Sequence, residues 1–189
     1  MPKIKVEISA RHVHLTQQDF EKLFGDGFKL EKDRYLSQPG QFVSKSSVTL
    51  VGPKRSLENV RLVGPNRSET QIEVSKTDCF YLGIKAPVRL SGKTIGSAPI
   101  KIVGPKGEIE LKEGVIVAKR HLHVNLEQAH KLGVSNGQKI KVAIEGPRAL
   151  VFDEVEARVN DEFDAAVHLD TDEANAAGIE GEVKGEVIV

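Results

Sequence analysis

The sequence predicts a mainly β protein, built as two β-barrels with short capping helices and an internal duplication. Aromatic residues make up only 5% of the chain and tryptophan is absent, so the core must consist of Val, Ile and Leu, a composition that favours sheets. Short β-rich runs recur between Gly-Pro turns, which is typical of barrels and sandwiches. A unit of cap residue, short helix and closing glycine occurs four times, which indicates the duplication.

Short alternating or β-rich runs predict the strands. In chain order these runs are 3–9, 47–51, 60–63, 70–74, 88–90, 100–103, 115–118, 139–144, 149–159 and 182–189. Gly-Pro pairs that begin at Gly52, Gly64, Gly104 and Gly146 separate several of them, and glycine and proline are the strongest signals for turns.

Four short helices are predicted, in the segments 16–25, 75–83, 125–133 and 171–178. Thr16 and Asn125 are candidate N-caps, because their side-chain oxygens can accept a hydrogen bond from the first helical turn. Each segment has an apolar face and closes on a glycine, the residue preferred just after a helix.

The four helical units carry a metal-ligand type of side chain at the same place. His14, Glu73, His123 and His168 each lie two residues before a candidate cap, and the closing glycine follows them after 11, 10, 10 and 10 residues. We interpret this as a strand–helix–strand unit used four times, with the potential ligand at the end of each first strand. The spacing between units varies, so the chain is not a solenoid.

The composition excludes several classes of protein. The chain has 189 residues, enough for one domain or two small ones, and its 27 basic and 27 acidic residues balance. A zero net charge provides no general attraction to nucleic acid or to an anionic membrane. No apolar run approaches the roughly 18 residues of a membrane helix, no signal peptide is visible, and the single cysteine excludes an intrachain disulfide framework. We therefore expect a soluble cytoplasmic protein, with Cys79 a buried thiol and His130 on the surface.

Two His-x-His pairs are the main candidates for chemistry. Side chains two residues apart on a strand point to the same face, so His12 with His14, and His121 with His123, can grip one ion each. Catalytic zinc usually has three protein ligands and one open position. The repeat makes Glu73 and His168 the natural third ligands. We predict the sets His12, His14, Glu73 and His121, His123, His168, or the same sets with the third ligands exchanged, because the sequence does not show which strand ends adjoin.

Three arginines lie near these candidates. Arg11 and Arg120 each precede a histidine pair, and on a regular strand they face away from the ligands, so an exposed or packing role is as compatible as a functional one. Arg67 lies six residues before Glu73 at a turn, where its guanidinium can hold a phosphate through paired hydrogen bonds or simply carry surface charge. A metal ion with an open position can polarise a carbonyl or orient an oxyanion. The residues alone indicate a metal-dependent transferase or hydrolase.

Five ordered motifs, SARHVHL, LSQPGQF, VGPNRSETQIE, VIVAKRHLH and HLDTDEANA, resemble the phosphate propanoyltransferase family of phosphotransacylases. The resemblance runs from about Lys3 to the C-terminus. Members of this family interconvert acyl-CoA and phosphate with acyl phosphate and CoA, on short acyl chains such as propanoyl or acetyl. They use two metal ions, usually zinc, although imidazole ligands also suit other divalent transition metals.

The resemblance implies a role for each candidate residue. His12, His14 and Glu73 would hold one zinc ion, and His121, His123 and His168 the second. Arg67 would be the catalytic residue that binds phosphate or acyl phosphate. The candidates for the CoA pocket are Ser9, Ala10, Arg34, Arg61 and Asn175.

The resemblance also implies the domain organisation and the partners. One barrel would comprise 1–10 with 119–189 and the other 11–118, in a homodimer or a higher homo-oligomer. Microcompartment members carry an N-terminal extension that directs encapsulation, but here the first strand begins by Lys3, which favours the cytoplasm over the microcompartment lumen.

The expected mechanism is direct attack of phosphate on the thioester, because no Ser or Cys stands in a recognisable nucleophile motif. Two alternatives stay open at this point. One is a binuclear zinc hydrolase that acts on a phosphoester or an amide, and the other is a metal-binding double barrel without catalytic activity.

Overall fold

The computed structural model describes residues 2–189, which form fourteen strands and four short helices. The strands are β1 (Lys3–Ser9), β2 (His12–His14), β3 (Lys32–Tyr35), β4 (Phe42–Val51), β5 (Ser56–Gly64), β6 (Gln71–Val74), β7 (Val88–Arg89), β8 (Ala98–Val103), β9 (Glu108–Ala118), β10 (His121–Val124), β11 (Lys139–Ile144), β12 (Leu150–Val159), β13 (Ala166–Asp170) and β14 (Val183–Ile188). The helices are α1 (Gln17–Phe24), α2 (Lys76–Leu82), α3 (Leu126–Leu132) and α4 (Thr171–Ala176).

The chain divides into two compact units. The first combines the residues up to Ser9 with Lys119–Val189, and the second is Ala10–Ala118. In the first unit a closed six-stranded barrel has the order β1-β13-β10-β12-β11-β14, and β14 returns to β1. The pairs β1–β13 and β10–β12 are parallel, whereas the other pairs are antiparallel.

The second unit closes a barrel of the same kind. Its ring follows the order β9-β6-β2-β5-β4-β8, because β8 pairs with both β4 and β9. The pairs β9–β6 and β2–β5 are parallel and the others are antiparallel. The short strands β3 and β7 add to β4 and β9 outside the ring.

The two rings therefore share one topology. In this equivalence β2 corresponds to β10 and β6 corresponds to β13, so the strands that carry the His-x-His pairs and the candidate third ligands match. The prediction of a mainly β, internally duplicated fold with two barrels and short helices is confirmed.

Each unit has its own aliphatic core. Val13 and Ile72 are fully buried in one core, and Leu122, Val124 and Val167 in the other. These apolar residues alternate along the strands with the candidate ligands, so they fix the register that the ligands share. Cys79 is buried in the core of the second unit, as expected, and His130 is exposed on α3, also as expected.

The N-caps predicted at Thr16, Ser75 and Asn125 are confirmed, whereas the fourth helix, predicted from Thr171, is capped by Asp170. The side chains of Thr16, Ser75, Asn125 and Asp170 each accept a hydrogen bond from the backbone N–H three residues later. The last helix differs from the expectation, because α4 ends at Ala176 and its C-cap is Ala177 in a right-handed conformation rather than the glycine that follows.

Some strands are longer than predicted, and four lie outside the ten predicted runs: β2, β10 and β13, which were expected only as the strand ends that carry candidate ligands, and β3, which was missed altogether. All side chains of β3, Lys32–Tyr35, are exposed, so this strand lacks the apolar alternation that marks a half-buried strand. The strands β4, β5 and β9 start earlier than expected because their first halves mix polar and exposed positions. Across residues 2–189, none of the helices combines the length and apolar character needed to cross a bilayer.

Candidate metal centres

The strand register brings each candidate third ligand opposite the first histidine of a pair. In the antiparallel pair β2–β6, His12 faces Glu73, and in the antiparallel pair β10–β13, His121 faces His168. Side chains of directly paired residues lie on the same face of a sheet. The second histidine of each pair lies on that face too, because it is two residues further along the strand.

Two compact sets of ligands result, one in each unit. His12, His14 and Glu73 form the first set, and His121, His123 and His168 form the second; within each set the ligand atoms all lie within 4.8 Å of one another. Of the two predicted groupings, the structure therefore matches the one in which Glu73 accompanies His12 and His14, and His168 accompanies His121 and His123. Most of the side chains are buried, and His14 is only 2% exposed.

The histidines of the first set present nitrogen lone pairs to each other. His12 Nδ1 donates to the carbonyl oxygen of Ala10 at 2.9 Å, and His14 Nδ1 donates to that of Val63 at 3.0 Å. A carbonyl oxygen only accepts, so each neutral ring carries its hydrogen on Nδ1 and a lone pair on Nε2. The two Nε2 atoms lie 3.1 Å apart. Two lone pairs at this distance repel unless a cation lies between them.

His14 does not supply that positive charge by taking up a proton. Burial, together with the nearby His12 and the Arg67 guanidinium, lowers the pKa of His14 to about 2. A tetrahedral zinc ion with bonds of about 2.0–2.1 Å would separate two nitrogen ligands by about 3.3 Å. Glu73 supplies a carboxylate oxygen 3.7 Å from His12 Nε2. The first set therefore fits a divalent metal ion.

The second set fits a metal ion on independent grounds. His121 Nδ1 donates to the carbonyl oxygen of Lys119 at 2.8 Å, which again leaves the Nε2 lone pair available. His123 is 6% exposed, and neither of its ring nitrogens has a hydrogen-bond partner within residues 2–189. Burial, then His121 and His168, lowers its pKa to about 2, so it stays neutral. A buried acceptor of this kind requires a partner, and a metal ion would provide one.

Arg67 belongs to a hydrogen-bond network that includes the first set. Its Nη1 donates to Ser91 Oγ at 3.0 Å. Gln71 Nε2 donates to the same Ser91 Oγ at 2.9 Å and to Glu73 Oε1 at 2.7 Å. The positive charge of Arg67 also contributes to the lowered pKa of His14, which lies nearby. The Arg67 guanidinium and the three candidate ligands His12, His14 and Glu73 therefore belong to one site.

Sequence reasoning missed Gln71, Ser91 and Phe163. Gln71 is 2% exposed and lies two residues before Glu73 on β6, so the same alternation that identified the histidine pairs could have identified it. Ser91 is in a loop twenty residues further along the chain (91 − 71 = 20), and Phe163 stacks on His123 with ring centroids 4.0 Å apart. No local pattern in the sequence marks either of these two residues.

Three candidates for the CoA pocket are Ser9, Ala10 and Asn175. Ser9 ends β1 and is half-buried, and Ala10, the next residue, is exposed. Asn175 is exposed on α4. Their placement by itself assigns them no ligand.

The other two candidates for the CoA pocket lie in the second unit. Arg34 is exposed on β3. Arg61 lies on β5, where its Nη2 donates to Asp33 Oδ2 at 2.8 Å and its Nε donates to the Ser44 carbonyl oxygen at 2.7 Å. These contacts give Arg61 a structural role, and its assignment to CoA stays a prediction.

Comparison with known proteins shows similarity over most of the chain. A sequence model of the phosphate propanoyltransferase family matches residues 5–180. The phosphate propanoyltransferase of Thermotoga maritima is 50% identical over 177 residues, which are 93% of this chain and 84% of that protein. The Enterococcus faecalis protein of the same name is 48% identical over 184 residues, 97% of this chain and 87% of that protein.

A third relative shows the same level of similarity. The phosphate propanoyltransferase of Salmonella typhimurium is 49% identical over 176 residues, which are 93% of this chain and 83% of that protein. Identity of this level over nearly full length establishes common ancestry and a shared enzyme class. The chain therefore belongs to the phosphate propanoyltransferase family, and it is an acyltransferase.

Proposed function

We propose that this enzyme is a phosphotransacylase that interconverts acyl-CoA and phosphate with acyl phosphate and CoA, on short chains such as propanoyl or acetyl. The observation that carries this proposal is the position of Arg67. Its guanidinium is hydrogen-bonded to Ser91, which is linked through Gln71 to the candidate metal ligand Glu73. A phosphate held by Arg67 would therefore lie beside the ligand set.

The two ligand sets would hold two zinc ions per chain, one with His12, His14 and Glu73 and one with His121, His123 and His168. Bound zinc would supply Lewis-acid stabilisation of the negative charge that develops on oxygen during acyl transfer. The neutral imidazoles support this assignment, because only the unprotonated ring is a metal ligand.

The residues around Arg67 orient it for phosphate. Ser91 accepts a hydrogen bond from Nη1, which holds the guanidinium plane in the orientation in which it would bind phosphate. Gln71 keeps one carboxylate oxygen of Glu73 engaged at 2.7 Å, which leaves Oε2 on the side of His12. Gly92 N donates to Gln71 Oε1 at 2.7 Å and fixes the amide in this orientation.

In the direction of acyl phosphate formation, an oxygen of bound phosphate attacks the thioester carbonyl carbon. A carbon–oxygen bond forms, the carbon–sulfur bond breaks, and CoA leaves as a thiolate. Holding phosphate next to the thioester removes much of the entropic barrier, and the Arg67 guanidinium stabilises the charge of the transition state. The thiol of Cys79 is buried in a barrel core, which supports direct transfer without an acyl-cysteine intermediate.

The test combines metal analysis with a phosphate-dependent assay on one preparation. Acetyl or propanoyl phosphate plus CoA should give the thioester, with about two equivalents of zinc per chain. A sequential kinetic pattern is expected. Hydrolysis of acyl phosphate without thioester formation would instead indicate a metal-dependent hydrolase, and a ping-pong pattern with a trapped acyl-protein would contradict direct transfer. The homodimer, the cytoplasmic location and the CoA-binding residues stay predictions.

A further inference from the structure

The arginine that precedes each histidine pair forms an ion pair with an acidic side chain in both units. In the second unit, Arg11 grips the carboxylate of Asp78 with two atoms: Nε lies 3.0 Å from Oδ2 and Nη2 lies 2.8 Å from Oδ1. In the first unit, Arg120 Nη1 donates to Glu173 Oε1 at 2.8 Å. Arg120 Nε also donates to the Asp153 carbonyl oxygen at 2.6 Å.

The acidic partner has the same place in both units. Asp78 and Glu173 each lie five residues after the candidate third ligand (78 − 73 = 5 and 173 − 168 = 5). Each is the third residue of a helix, and its side chain also accepts a hydrogen bond from the N-cap backbone: from Ser75 N at 3.1 Å and from Asp170 N at 3.0 Å.

These contacts connect the two strands that supply one ligand set. Arg11 directly precedes His12, and the cap residue that Asp78 holds lies two residues after Glu73. The β2–β6 ladder has only three paired positions and begins at His12–Glu73. Arg11 and Asp78 lie just beyond this first pair, so their contact continues the connection between the two strands through side chains. Arg120 and Glu173 do the same beyond His121–His168, the first pair of β10–β13.

The helices that follow the histidine pairs offer an internal comparison. In α3 the corresponding third residue is Gln128, a neutral side chain that completes a capping box with Asn125. In α1 it is Asp19, whose carboxylate accepts from Thr70 Oγ1 at 2.6 Å. The arginine contact thus occurs at the helices that follow the third ligands, where two separate strands must be held together.

We propose that Arg11 and Arg120 are positioning residues, each of which fixes the third ligand of its own metal centre relative to the histidine pair. This inference rests on the proposed metal-dependent function. The distance between ligands must be held within about 0.5 Å for a metal site to bind well. Groups that orient metal ligands typically contribute roughly 10- to 100-fold to metal affinity.

An ordinary structural ion pair would behave differently. Arg11 is 44% exposed and Asp78 is 5% exposed, so an ion pair that only supports the fold would change the free energy of unfolding and leave the zinc affinity of the folded protein unchanged. Zinc affinity measured in the folded protein therefore distinguishes a positioning role from a purely structural one. A second distinction is which centre is affected, because a positioning residue should weaken zinc binding only at its own centre.

The experiment measures zinc affinity by competition with a chromophoric chelator on the full chain. Two parent proteins, His14→Ala and His123→Ala, each retain one intact ligand set. In the His123→Ala parent, Arg11→Ala should weaken zinc binding roughly 10- to 100-fold, and Arg120→Ala should have no effect. In the His14→Ala parent the order should reverse.

A matched control is Arg55→Ala. Arg55 is exposed in the turn before β5, and its guanidinium lies 5.0 Å from the ring of Tyr81 near the C-terminal end of α2, so this change removes an arginine that contacts the same helix without touching Asp78. It should leave zinc affinity unchanged. Arg11→Lys should give an intermediate loss, because an ammonium cannot grip both carboxylate oxygens as a planar fork does.

The outcomes are distinguishable. If the parents bind zinc and the arginine variants bind it equally well, or if both centres weaken together, the positioning role is wrong and the proposed function stands. If the parents bind no zinc, the metal-dependent function fails and the positioning role fails with it. Circular dichroism of each variant before titration identifies a chain that has not folded, and Arg11→Lys then carries the test.

Discussion

At the scale of single residues, the backbone decides which imidazole nitrogen faces the site. Carbonyl oxygens of Ala10, Val63 and Lys119 accept from Nδ1 of His12, His14 and His121. Each of these rings then directs its Nε2 lone pair at its neighbours. The sets are therefore arranged for a cation by the strands themselves, before any ligand binds.

The first prediction concerns His14. His14→Ala should remove one of the two zinc equivalents and leave the other, because the ligands of the two sets belong to different barrels. Acyl transfer should fall by at least about 100-fold, as expected when a centre that stabilises the transition-state charge is lost. Elemental analysis and the thioester assay on the same sample measure both effects. Retention of two zinc equivalents would contradict the assignment.

The second prediction concerns Arg67. Arg67→Ala should lower kcat/KM for phosphate by roughly 10- to 150-fold, the range that corresponds to a lost charged hydrogen bond of about 1.5–3 kcal/mol. Zinc content should not change, because Arg67 is not one of the six predicted ligands and its Nη1 hydrogen bond goes to Ser91. Arg55→Ala, an exposed arginine in the same unit, serves as the control with unaltered kinetics. A loss of zinc in Arg67→Ala would point to a structural role.

Sequence patterns predicted the ligand candidates but not the groups that orient them. The offsets of His14 and Glu73 from their helix caps can be counted in the sequence, because strand and helix periods are local. The contact between Gln71 and Ser91 depends on how a distant loop packs. Arg11 was expected to face away from the ligands. Its contact with Asp78 depends on where α2 packs, which no local sequence pattern predicts.

At the scale of elements, each strand that carries a candidate ligand leads directly into a capped helix start. Three of the four helices begin with a reciprocal capping box, at Ser75, Asn125 and Asp170. These helices are short, at six or seven residues, so their caps account for a large share of their local stability. The type of residue at a helix start indicates a cap, so the sequence predicted most of these caps. The exposed strand β3 was not predicted, because it forms by pairing with β4 and its own residues show no apolar alternation.

The third prediction is that Ser75→Ala lowers the free energy of unfolding by about 1 kcal/mol, because the Asp78 backbone N–H loses its acceptor. Urea denaturation with fluorescence or circular dichroism measures this change. Ser68→Ala, at an exposed position of a turn, should change the free energy by less than about 0.5 kcal/mol. Equal effects of the two substitutions would show that the Ser75 cap contributes nothing specific.

At the scale of the whole molecule, the duplication is complete in topology but not in chemistry. The residue opposite the second histidine is Gln71 in one barrel and Ala166 in the other. The amide of Gln71 links Glu73 to Ser91 and Arg67, and a methyl group has no donor for such a link. This asymmetry supports the proposal that phosphate binds in the second unit, beside Arg67. The barrel of the first unit contributes an all-histidine set with Phe163 stacked on it.

The fourth prediction follows from the position of each set within its own barrel. Each set joins two strands that are far apart in the chain, such as β10 and β13, so bound zinc should stabilise the folded state over the unfolded one. Free zinc at 1,000 times the dissociation constant should add about 4 kcal/mol for each centre. Differential scanning calorimetry with added zinc and with a chelator measures this gain as a shift in Tm. His14→Ala and His123→Ala should each keep a part of the shift, and the double variant should show none. An unchanged Tm in the unsubstituted protein would mean that neither set binds zinc in the folded state.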